Sequence, residues 1–262
     1  MSIAIVTGAG GDIGRAICRS LAQQGHAIFA TDINMETADI TAREIVEAGG
    51  KAKAIRLDIT DPQSVSSAIS SAIAEGPVQV LVNNAGLCHA ESLQSSSFED
   101  WKADLDFNLH GSYLCFKAIE QHFISNRSGV VINIASVNGQ GVYGHPGYSV
   151  AKAGLLHLTR QIAVEYGQFG IRANAIAPGT VKTAGWQARA DKNPNVFEEA
   201  KRWYPLREVA DPEDVAQGVA FLASDKAKAI TGICLPIDCG LTAGQAEMAG
   251  TFSQSSDYQN LT

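Results

Sequence analysis

Tyr148 and Lys152 stand four residues apart. On a helix this spacing puts both side chains on one face. A free phenol titrates near ~10, too high to serve as a base at neutral pH. An ammonium beside it favours the phenolate and is expected to lower that value. A tyrosine so tuned can exchange a proton with an alcohol or a carbonyl. Tyr143 is a second phenol in the segment, but Gly147 stands four residues beyond it, so it has no such partner. A solvated helix pair would show the same spacing, so the surrounding elements decide.

Those elements begin at the N-terminus. Ile3 to Val6 is a short apolar run, followed by Thr7-Gly8-Ala9-Gly10-Gly11-Asp12-Ile13-Gly14 and a helical stretch to about Gln24. Strand, glycine turn and helix make a phosphate-binding order: small residues admit a pyrophosphate, and the helix start offers free N–H groups. His26 to Thr31 reads as a second strand ending in Asp32. An acid there can accept hydrogen bonds from an adenosine ribose and repels a 2′-phosphate, which favours NAD over NADP. Arg15 is the one nearby residue that could favour a phosphate.

Further strands are expected at Lys51–Leu57, Val78–Val82, Gly129–Ile134, Ile171–Ala177 and Gly232–Ile237. Helices are expected at about 35–48, 62–75 and 98–125, with Asp61 capping the second. Alternating strands and helices imply a parallel sheet covered on both faces, with ligands at the carboxyl ends of its strands. Asp32, Asp58 and Asn83-Asn84-Ala85-Gly86 all fall at such ends.

In order and spacing, Thr7-Gly8…Gly14, Asp58, Asn83 to Gly86, Asn108, Ser136, Tyr148…Lys152 and Pro178-Gly179…Thr183 resemble the short-chain dehydrogenase/reductases over about residues 3–240. The resemblance implies an α/β fold: one Rossmann-type doubly wound parallel sheet of about seven strands, helices on both faces, within residues 1–240. It implies Asn108, Ser136, Tyr148 and Lys152 as catalytic residues. Asn108 would hold a helix distortion and a water, Ser136 would bond the substrate oxygen, and Lys152 would also bond the nicotinamide ribose. The cofactor would lie along Gly8, Asp12, Ile13, Gly14, Asp32, Asp58, Ile59, Asn84, Ala85, Gly86, Pro178, Gly179, Val181 and Thr183, besides Tyr148 and Lys152. A homotetramer without a metal requirement is implied in the same way. Two positions depart from the pattern: Asp12 and Cys239 stand where the family usually has glycine. Asp12 is expected to cap the helix that begins there.

Residues 184–207 are expected to form a lid. They mix Trp186, Phe197, Trp203 and Tyr204 with Arg189, Lys192, Lys201, Arg202 and Arg207. Aromatic and basic residues together suit a sugar ring or an anionic polar substrate, and equally an amphipathic helix with its charges in water. Ser136, Asn138, His89, His145, Trp186 and Arg189 are the candidate substrate contacts. Residues 241–262 form a Ser-, Gln- and Gly-rich tail.

The formal net charge of −7 over 262 residues argues against nucleic acid or an anionic membrane as partner. No apolar run reaches the ~20 residues of a membrane span. The five scattered cysteines match no metal or disulfide spacing, and no leader-like segment is evident, so a cytoplasmic protein with reduced thiols is expected. The expected activity is hydride transfer between NAD and a small polar secondary alcohol or its carbonyl. An NAD-dependent epimerase or dehydratase and a non-catalytic NAD-binding regulator are the alternatives.

Overall fold

The computed structural model describes residues 1–258, without the side chains of residues 187–189. Seven parallel strands form one sheet: β1 (Ile3–Thr7), β2 (Ala27–Asp32), β3 (Ala52–Arg56), β4 (Val78–Asn83), β5 (Gly129–Ile134), β6 (Ile171–Pro178) and β7 (Cys234–Ile237). Their order is β3-β2-β1-β4-β5-β6-β7. The winding reverses between β1 and β4, so a crevice opens past their carboxyl ends.

Side-chain alternation along β1 sorts the core. Ala4 and Val6 pack beneath α1 (Asp12–Gln23), α2 (Met35–Glu47) and α7 (Pro212–Ala223). Ile3 and Ile5 face α3 (Pro62–Glu75), α5 (Gly111–Asn126) and α6 (Pro146–Tyr166). Asp61 caps α3 by accepting from the Gln63 N–H. Inside the sheet, Asn83 donates to Asn133, which donates to the Thr159 hydroxyl, each at 2.8 Å. That buried chain locks β4, β5 and α6 in register.

Three expectations are corrected. The single helix expected over 98–125 is α4 (Phe98–Leu105), a π-helical turn (Asp106–His110) and α5. The wider turn turns the buried Asn108 inward, where its amide donates to the main-chain oxygens of Leu87 at 2.6 Å and Asp104 at 2.9 Å. Strands three and seven are shorter than their apolar runs because they lie at the sheet edges, with a single neighbour each. Asp12 does not cap α1. Gly11 is the cap residue, and it brings no side-chain bond. Asp12 stands at the first helical position and instead accepts from the Ala184 N–H at 2.6 Å.

The glycine turn is sterically exacting. Gly8 sits at φ 65°, and a Cβ on Gly14 would lie 2.1 Å from the Gly8 carbonyl oxygen. Backbone cannot yield as a side-chain tip can. Gly14→Ala is therefore expected to cost roughly 1–3 kcal/mol, and a calorimetric scan should show Tm lowered by several degrees.

Candidate active site

The crevice above β1 and β4 holds a cavity of about 540 Å³. Gly8, Asp12, Ile13, Gly14, Asp32, Asp58, Ile59, Asn84, Ala85 and Gly86 all line it. Thr7 anchors the wall: its hydroxyl accepts from the N–H groups of Asn84 and Ala85, each at 3.0 Å. Asp32 accepts from the Gly10 N–H at 3.0 Å and the Asn34 N–H at 3.0 Å, which fixes its carboxylate at the mouth of the crevice. A Cβ on Gly10 would meet Thr37 Oγ1 at 2.1 Å, so glycine permits that approach. Hydrogen bonds from Thr60 hold the Asp58 carboxyl below the usual range. Arg15 turns away and meets Glu44 at 3.5 Å.

A second cavity of about 260 Å³ continues the crevice. It gathers Pro178, Gly179, Val181 and Thr183 after β6 with Ser136, Tyr148 and Lys152. The Ser136 hydroxyl stands beside the Tyr148 phenol and favours its charged form. Lys152 is almost fully buried, donates to the Ile134 carbonyl at 2.8 Å and lies 5.3 Å from the centre of the Tyr148 ring. The expected lowering of Tyr148 is not what this geometry gives. Burial pushes the phenol up to about 12 and the lysine down to about 7. Both groups are poorly solvated, so each neutral form gains. Asn108 Oδ1 is buried without a partner among the described residues. It and Lys152 Nζ both border Gly86.

The third cavity, about 610 Å³, opens beside Tyr148. Ser136, Asn138, His145 and Trp186 line it, as the sequence led us to expect. His89 does not: its ring is held by Asp104 at 2.7 Å, away from the cavity. Arg189 lies outside the described side chains. Trp203 and Tyr204 supply further aromatic walls, and Trp186 packs on Phe197 at 5.8 Å between ring centres. Two described basic side chains of this region have partners of their own. Lys201 pairs with Glu198 and Glu208, and Arg202 lies over the Trp203 ring at 4.4 Å. No lysine or arginine lines the cavity among the described residues.

Residues 8–242 match a family profile described as enoyl-(acyl carrier protein) reductase. A cis-4-hydroxycyclohexanecarboxylate dehydrogenase of Sinomonas cyclohexanicum is 39% identical, covering 92% of this chain and 96% of its own. An uncharacterized oxidoreductase of Schizosaccharomyces pombe is 38% identical, covering 92% and 91%. The crystal structure of an oxidoreductase of the short-chain dehydrogenase/reductase family from Burkholderia thailandensis superposes with a TM-score of 0.88 at 40% identity, covering 97% of this chain and 98% of that one. The chain belongs to the short-chain dehydrogenase/reductase family.

As a short-chain dehydrogenase/reductase it is an oxidoreductase of a family that binds a nicotinamide cofactor. The crevice fits such a group. The first turn of α1 carries no side-chain cap, so its N–H groups are left for an anion. The glycine turn leaves room for it, and Asp32 waits at the far end.

Several wall residues are not among the substrate contacts read from the sequence. Leu241 and Gln245 come from the tail, and only the return of the chain after β7 brings them to the cavity. Gln245 also donates to the Trp203 carbonyl at 3.1 Å. Tyr143 reaches the cavity as a wall, and Cys88 does so from the loop after β4. The Tyr204 hydroxyl accepts from the Thr180 N–H at 2.9 Å and donates to the Thr180 hydroxyl at 2.8 Å, so it shapes the loop after β6 as well.

Proposed function

We propose that this short-chain dehydrogenase/reductase oxidises a secondary alcohol carried on a ring, of the sugar, cyclic polyol or alicyclic class, with NAD as acceptor and Tyr148 as acid and base. The observation that carries the reading is the meeting of Ser136, Tyr148 and Lys152 where the crevice joins an aromatic cavity. Aromatic walls favour a ring, and recognition through that ring is the reading we test. Asn138, His145, Thr180 and Gln245 offer polar partners for further hydroxyls. The alicyclic alcohol acid of the Sinomonas relative is in keeping with this class.

In oxidation, Tyr148 takes the hydroxyl proton as hydride leaves the carbinol carbon. In reduction it returns a proton to the carbonyl oxygen. Ser136 donates to that oxygen and holds it against Tyr148. Lys152 places an ammonium beside the phenol, held by the Ile134 carbonyl. Asn108 Oδ1 suits a water that carries the proton from Lys152 outward. Bound in the crevice, NAD supplies the hydride acceptor. Asp32 favours NAD over NADP, and Arg15 is committed to Glu44.

The dehydrogenase activity of the Sinomonas relative favours this reading over the epimerase or dehydratase alternative. A regulator has no need of the Ser136–Tyr148–Lys152 set. A homotetramer in the cytoplasm is our reading of the protein's state. Phe98 and Val164, 73% and 81% exposed on α4 and α6, suit a covered face.

Initial-rate NADH formation on cyclohexanol, cyclohexanediols, sugars, polyols and their carboxylated analogues tests the proposal. We expect turnover on ring alcohols with NAD, the neutral ring at least matching its carboxylate. Turnover only on open-chain substrates would overturn the ring class, and silence on all of them would overturn the dehydrogenase reading.

A further inference from the structure

Asp104, in the last turn of α4, is completely buried. An ionised carboxylate inside a protein costs several kcal/mol unless donors surround it. Asp104 has three. Its Oδ1 accepts from the His89 N–H at 3.1 Å and meets His89 Nδ1 at 2.7 Å. Its Oδ2 accepts from the main-chain N–H of Tyr148 at 3.1 Å. Its own carbonyl accepts from the Asn108 amide. One residue thus touches the helix that carries the phenol, the turn that carries Asn108 and the loop that leads to the cavity.

The need for it is local. Helix α6 starts without a cap of its own, because His145 sits in the left-handed region at φ 53° and makes no capping bond. Tyr148 is the third helical residue, so its N–H has no partner within the helix. The carboxylate of a neighbouring helix fills that place, at the positive end of the helix dipole. Gly147 makes room: a Cβ there would lie 2.8 Å from Asp104 Oδ2.

We propose that Asp104 is a positioning residue that sets Tyr148 in register with Asn108 and the cavity loop, and that His89 serves Asp104 rather than the substrate. This rests on Tyr148 being the acid and base. The same charge lies behind the phenol and disfavours the phenolate. The titratable groups around Asp104 are His89 and Cys88 on the loop, Tyr148, Lys152 and His145 on or at the start of α6, and Asp100 and Asp106 along its own helix and the turn that follows. Of these, His89 hydrogen-bonds the carboxylate through its side chain.

The test compares Asp104→Asn, His89→Leu and Tyr148→Phe in the full chain, using the panel alcohol of highest rate, NADH binding by fluorescence, and the near-UV titration of Tyr148 as a difference against Tyr148→Phe. In Asp104→Asn we expect kcat to fall about tenfold or more, as for a misplaced reacting group, with NADH affinity kept. The rising limb of the alcohol-oxidation pH profile, and the Tyr148 titration with it, should move to lower pH. In His89→Leu, which keeps the carboxylate, kcat should fall several-fold without that downward move. Wild-type kcat in either folded variant, or a fall in Asp104→Asn with an unmoved limb and titration, overturns the proposal. If Asp104→Asn does not fold, His89→Leu decides. Tyr148→Phe with normal turnover would instead overturn the acid–base reading, and if no alcohol turns over the phenol titration still reads the Asp104 charge.

Discussion

Replacing Tyr148 by phenylalanine is expected to lower kcat by about 10²–10⁴-fold, the range for losing a positioned proton-transfer group, while NADH still binds. The substitution removes one oxygen and keeps the ring, so the packing of α6 against β6 has no reason to change. Ser136, whose hydroxyl stands beside the phenol, keeps its bond from the Asn138 N–H at 3.2 Å. A fall in kcat and kcat/KM together would mark an interaction made in the transition state. A rise in KM alone would reduce the tyrosine to a binding wall.

The pH dependence of the wild type follows from the same burial. Oxidation needs the phenolate, and burial pushes Tyr148 up to about 12. Log kcat/KM for alcohol oxidation should therefore climb with pH through the alkaline range with no plateau near neutrality. Reduction needs the phenol, which stays protonated across that range, so its proton supply should not fail until strongly alkaline pH. Burial also pushes Lys152 down to about 7, so its ammonium is held less firmly than that of a surface lysine. Its ammonium gains most when negative charge develops beside it, which is the condition of the transition state. A plateau near pH 7 in the oxidation profile would assign the base to another group, and His145 on the same cavity wall would be the first candidate.

What could be read from the sequence was local. The spacing of Tyr148 and Lys152, the glycine turn after β1 and the acid after β2 are written in neighbouring residues, and the sheet order follows from how such units wind. What escaped depends on which segments meet. Asp104 carries no signal of its own in the sequence, because only the packing of α6 against α4 brings the Tyr148 N–H to its carboxylate. Asp12 reads as a cap until the chain leaving β6 passes over α1. The sign of the Tyr148 shift escaped for the same reason: the i, i+4 rule places the ammonium but says nothing of the burial that outweighs it.

Asp32→Asn is expected to move cofactor preference toward NADP by roughly tenfold or more. The carboxylate bonds the Gly10 and Asn34 N–H groups, and an asparagine oxygen can keep one of those bonds. The fold of the turn should thus survive while the charge is lost. A carboxylate about 4 Å from a phosphate is worth roughly 1–4 kcal/mol of repulsion between water-like and surface-like dielectric. Asp32 is partly exposed, so the lower part of that range applies, and about 1.4 kcal/mol is already tenfold in affinity. Arg15 meets Glu44 at 3.5 Å rather than turning to the crevice, so the discrimination is expected to rest on Asp32. Raising ionic strength should shrink the wild-type discrimination and leave the variant nearly unaffected, since only the former is a charge–charge effect. KM for NAD and NADP, measured in parallel on both proteins, decides the matter. An unchanged ratio would mean that discrimination comes from the shape of the crevice around Ile33 and Asp58 rather than from the charge of Asp32.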